Sequence, residues 1–203
     1  SAMLKLSAGR HNCFLLESVE GGAVRGRYSI IGIEPDLIFR AAGAKAEVNT
    51  DPRGNPDRFE AMAEPTLRAL RKVIAESRIH LPDGLPPMSA GVFGYLGYDM
   101  VRQMEELGPP NPDPLGFPDS VFLRPTIIVV FDAVRDEITI VTPVRPAAGV
   151  SAAQALQRAV DRLTLAVDAL DAPLDKSADQ AEIDADVLVV SNTPRETYLD
   201  MVR

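Results

Sequence analysis

The stretch FLRPTIIVVFDAVRDEITIVTPV, Phe122 to Val144, constrains the fold more than any other part of the chain. Between Ile127 and Phe131 apolar residues follow one another without a polar break. That is the composition of a central strand covered on both faces. Arg135-Asp136 supplies a polar turn, and Glu137 to Val144 returns as a second apolar run. Phe122–Val134 and Glu137–Val144 are therefore predicted to pair as a hairpin.

Upstream, residues 12–18 and 27–41 read as two more strands joined across Gly21-Gly22. Pro35 has no N–H to give to a ladder, so a bulge or break is expected near Glu34-Pro35. Residues 44–49 suggest a third strand, and TDPRGNPD, residues 50–57, is turn chemistry throughout. Pro65 suits the first position of a helix running to about Arg78, with Leu67, Leu70 and Ile74 on its apolar face and Val73 flanking it. Residues 89–98 read as a strand leading into a short helix around 99–106. Five prolines between residues 108 and 119 demand extended loop.

Residues 151–170 carry Leu156, Val160, Leu163, Val167 and Leu170 at alternating spacings of four and three, a stripe that reads as core packing. Near the end, Thr193, Pro194 and Glu196 have the spacing of a capping box opening a helix. Tyr198, Met201 and Val202 begin an apolar face just before the chain stops at Arg203. The expected fold is α+β: mostly antiparallel strands in a sheet or sandwich, covered by helices 65–78 and 151–170. The expected division is residues 1–186 as one domain and 187–203 as the truncated start of another.

The formal charge of −8 is concentrated: from Asp161 to Asp186 eight acids face only Arg162 and Lys176. That acidic segment reads as a linker or solvated loop. An acidic chain without a basic stripe argues against nucleic acid. The longest apolar run is far too short to span a bilayer, and no leader pattern opens the chain. Cys13 is the single cysteine, so an internal disulfide is excluded and a reducing, cytoplasmic setting is expected. Cys13 itself reads as a small buried side chain in a strand, and His11 and His80 as surface residues. No phosphate-cradling loop, zinc-type spacing or catalytic constellation stands out.

One stretch is more specific. In NCFLLESVEGGAVRGRYSIIG, an acid and a hydroxyl, Glu17 and Ser18, directly follow an apolar strand. Glu17 has the chemistry to accept from an ammonium and Ser18 to bond a carboxylate, with neighbouring strands enclosing an apolar side chain. The plainer alternative is that both residues leave the core and open a hairpin loop.

FLLESVEGGAVRGRYSIIG resembles the N-terminal signature of the anthranilate synthase component I family. The likeness continues in PMSAGVFGYLGYDMVR and PDPLGFPDSVFLRPTIIVVFD and closes at SNTPRETYLDMV, in the family's order. The resemblance implies a cytoplasmic lyase subunit of tryptophan biosynthesis that converts chorismate to anthranilate and pyruvate. It further implies ammonia from a glutamine amidotransferase partner (component II), a hetero-oligomer, and Mg2+ held by a C-terminal domain outside this chain. It places Leu15, Leu16, Glu17 and Ser18 in a feedback site for L-tryptophan, with Tyr28 and Ser29 on the facing strand. Half of that pocket is expected to lie beyond Arg203, and the chain alone is expected to be inactive. The related aminodeoxychorismate synthase component I and a free-standing amino-acid-binding module are the alternative readings.

Overall fold

The computed structural model describes residues 1–17, 26–109, 112–174 and 190–203. Contacts divide the chain into two units, Ser1–Pro173 and Leu174–Arg203. The expected boundary at 186/187 and the acidic linker's centre lie outside the described residues.

In the first unit the elements run α1 (Ala2–Ser7), β1 (Phe14–Glu17), β2 (Tyr28–Ala42), β3 (Lys45–Asn49), β4 (Glu60–Ala61), α2 (Thr66–Ser77), β5 (Phe93–Leu96), a 3₁₀ helix at Tyr98–Gln103, β6 (Ser120–Asp132), β7 (Glu137–Val141) and α3 (Ala152–Asp171). The second unit contributes α4 (Arg195–Val202). The expected α+β class is observed, with one sheet whose pairings are all antiparallel.

Strands β2 and β6 form the spine and pair along nearly their whole length. At one end β1 joins β2 and β7 joins β6; at the other the order is β4-β3-β2-β6-β5. The register shifts between Pro35 and Leu37, the bulge expected from Pro35. Glu34 sits there at φ +52, a left-handed backbone for a residue with a Cβ. Thr126 Oγ1 donates to the Glu34 carbonyl at 2.7 Å and holds the distortion in place.

Period-2 alternation sends successive β2 residues to opposite layers. Ile31 and Ile33 pack with Ile127, Val129, Leu6 of α1 and Ala166 of α3. Ile30 packs instead with Ile128, Val130 and Phe93, joined by Phe14 and Tyr28. Beyond the bulge, Leu37, Phe39 and Ala41 pack with Ala69, Leu70 and Val73 of α2. Full burial of each larger side chain contributes about 1.5–3 kcal/mol.

Helix α2 packs through the expected Leu70 and its neighbour Val73, whereas α3 meets the sheet with only part of its large-residue stripe, Leu163 and Leu170 being half-buried. On α3 the fully buried residues are Ala159 and Ala166, whereas Leu156, Val160 and Val167 of the expected core stripe are exposed. On α2 the buried face is Thr66, Ala69, Leu70, Val73 and Ser77, and Ile74 is exposed. The sheet already presents isoleucines and valines, so small residues on the helix allow close approach. Helix α2 begins one residue later than expected, with Pro65 as its cap and the Thr66 hydroxyl donating to the Gly43 carbonyl.

The capping box does not form at Thr193. Its hydroxyl donates to the Asn192 side chain, the Ser191 hydroxyl donates to the Thr193 carbonyl, and Pro194 occupies the cap position. This local turn competes with capping for the same groups. A complete capping box forms at Ser151 and Gln154 instead. Cys13 is half-buried just ahead of β1, and His11 and His80 are exposed. Among the described residues no helix is long and apolar enough to cross a membrane.

Candidate functional site

The β1–β2 ladder sets the geometry of the residues singled out in sequence. Glu17 pairs with Ser29, Leu16 with Ile30 and Leu15 with Ile31. Alternation puts Leu15, Glu17 and Ser29 on one face and Leu16 and Tyr28 on the other. Leu15, Leu16 and Glu17 are exposed, and Tyr28 and Ser29 are half-buried. Ser18 lies outside the described residues. The described part of β1 ends at Glu17.

Phe14 anchors this ladder. Its ring stacks on Phe93 at 4.9 Å between centroids. It also fills the space a Cβ on its partner Gly32 would need. Glycine at position 32 thus answers a close approach rather than a turn.

Tyr28 continues into a second feature. It pairs across the sheet with Asp132, and both line a cavity of about 290 Å³. Arg27 grips Asp132 through two hydrogen bonds, Nε to Oδ1 at 2.8 Å and Nη2 to Oδ2 at 2.6 Å. The same Oδ1 accepts from the backbone amides of Val134 and Arg135, fixing the β6–β7 turn. These donors, Arg27 foremost, hold the Asp132 carboxyl well below the usual carboxylate range, although its burial works in the opposite direction. The Arg27 guanidinium lies 4.8 Å from the centre of the Tyr28 ring, within cation–π range.

Arg135, Glu137 and Thr139 complete one side of the cavity, and the loop Gly84–Pro87 forms the other. That loop is pinned by the buried Ser89, whose hydroxyl donates to the Pro86 carbonyl at 2.6 Å. Among the described residues neither Arg135 nor Glu137 enters an ion pair. Among the described residues a cation and an anion without ion-pair partners therefore border the cavity, beside an aromatic ring. Among the described residues no group of three or more His, Cys, Asp or Glu is placed to hold a metal ion.

Among the described residues, Tyr28 is the one sequence-selected residue that lines this cavity; Leu15, Leu16, Glu17 and Ser29 lie on the neighbouring ladder. Sequence reasoning passed over Arg27, Asp132, Arg135 and Glu137. Asp132 did leave a signal, as the one acid interrupting the apolar run Thr126–Val134.

No family model matches the chain. It is 43% identical over 198 residues to anthranilate synthase component 1 of Cereibacter sphaeroides, covering 98% of this chain and 40% of that protein. It is 34% identical over 208 residues to anthranilate synthase component 1 of Thermus thermophilus, again covering 40% of the relative. The fold is similar to the crystal structure of anthranilate synthase component I from Streptococcus pneumoniae TIGR4, with a TM-score of 0.57 and 22% identity. That match covers 80% of this chain and 32% of the solved one. The chain thus spans about two fifths of the length of these relatives, and by its sequence it belongs to the anthranilate synthase component I family.

Proposed function

We propose that this chain is the N-terminal, tryptophan-sensing part of a component I subunit whose whole protein converts chorismate to anthranilate in tryptophan biosynthesis. The 43% identity maintained over 98% of the chain carries this reading. The ladder at Glu17 and Ser29 and the adjoining Tyr28 cavity support an amino-acid effector. In this reading the indole lies against Leu16 and Tyr28. Glu17 is the candidate for the ammonium, and Ser18 and Ser29 are the candidate hydroxyls for the amino-acid end.

The chemical step belongs to the rest of the subunit, with Mg2+ and with ammonia from a glutamine amidotransferase partner in a hetero-oligomer. This chain's residues contribute binding and regulation. Tryptophan shifts turnover only by binding one arrangement of the subunit better than another, since equal affinity would shift nothing. In the full-length cytoplasmic enzyme, Ser18→Leu is expected to relieve tryptophan inhibition and leave turnover without tryptophan intact. A variant that stays fully tryptophan-sensitive would remove Ser18 from the site.

A further inference from the structure

The connection from β7 to α3 holds an unusual cation. Nε, Nη1 and Nη2 of Arg145 are all shut away from solvent, and none has a hydrogen-bond partner among the described residues. A guanidinium keeps its charge and its five N–H donors in a protein. Enclosing it unpaired is costly, whereas enclosing it beside an anion is not. The nearby charges give little relief. Arg124 repels it, and Asp36, the acid within its electrostatic reach, is already bound by Arg124 at 2.6 Å. Burial and then Arg124 pull Arg145 below the usual arginine range.

Arg145 also lines a cavity of about 390 Å³, a size within the range of small-molecule sites. The walls are aliphatic: Val144, Pro146, Val150, Ala155 and Leu156 among them. The cavity borders the first turn of α3, the positive end of a 20-residue helix with no acid in that turn. The residue that carries the stranded guanidinium thus also borders an aliphatic bowl next to the capped first turn of α3. No lining residue is shared with the Tyr28 cavity.

We propose that this cavity binds a small organic anion, a carboxylate on an apolar body of about benzoate size, with Arg145 as its counter-ion. In the free chain the guanidinium is packed out of reach of solvent. The carboxylate engages it by a rotation of the long side chain, which ends the unpaired burial, while the aliphatic walls take the body of the ligand. Inorganic phosphate fits poorly, because those walls offer it few donors. The site stands whether or not the Tyr28 region binds tryptophan.

Calorimetric titration of this chain with benzoate, benzamide and inorganic phosphate tests the assignment. Benzoate is expected to bind saturably, and benzamide, equal in shape but uncharged, about tenfold more weakly or less, as for a lost charge-assisted bond. Phosphate should not saturate. Arg145→Met should abolish benzoate binding and, without ligand, melt at a higher temperature than the parent chain. Leu156→Asp, at an exposed position, should weaken benzoate through repulsion and leave folding intact. Saturable benzoate binding that survives either substitution unchanged would overturn the proposal, as would benzamide binding equal to benzoate or no benzoate binding at all.

Discussion

The ring of Phe14 occupies the position that any side chain on Gly32 would take. Two residues on paired strands therefore share one volume. Gly32→Ala is expected to cost about 1–3 kcal/mol in urea unfolding, as overpacking does in a dense core. Phe14→Leu in the same chain should recover part of that loss. Equal penalties with and without Phe14 would show that the ring is not the obstacle.

The Arg27–Asp132 pair makes acid stability a local property. Asp132 is held below the usual carboxylate range chiefly by Arg27. A depressed folded value gives stabilisation that is complete above the unfolded carboxylate value, about 3.9. It is lost as pH falls below that value and through the folded one. Unfolding followed from about pH 5 downward should show this loss, and Asp132→Asn should flatten it. The same acid slope in the variant would mean that other carboxylates carry the effect.

Helix α3 allows a test of which face meets the sheet. Ala166→Leu inserts bulk at a fully buried position and is expected to destabilise by about 1–3 kcal/mol. Val160→Thr, at an exposed position, should change stability by no more than about 0.5 kcal/mol. The reverse ranking would restore the large apolar stripe as the packed face.

The spine of the fold was legible because β2 and β6 carry long apolar runs, and Pro35 marked its own bulge. Helix α1 was not legible, since six residues hold no helix by propensity alone. It forms because Leu6 is fully buried against the sheet and Lys5 Nζ donates to the Leu170 carbonyl at 2.6 Å. The α3 face was legible only in part: Leu163 and Leu170 of the stripe are half-buried, but periodicity weighs large residues, whereas contact with a bulky sheet favours alanine at Ala159 and Ala166. For the candidate site, the ladder residues Glu17, Tyr28 and Ser29 all come from one continuous stretch of sequence. Arg27 and Asp132 are 105 positions apart, and only folding brings them to the same cavity.

Tyr28 connects the ladder to the cavity, and Tyr28→Ala separates the two parts of the proposed effector site. In the full-length subunit this change should weaken tryptophan inhibition without abolishing turnover measured in its absence. Undiminished inhibition would confine the effector to residues other than Tyr28.

Calorimetric titration of L-tryptophan into the full-length subunit and its Ser18→Leu variant tests the central claim most directly. The account predicts saturable binding in the parent and its loss in the variant, with both proteins folded. Tryptophan binding of equal affinity in both, or none in the parent, would contradict it.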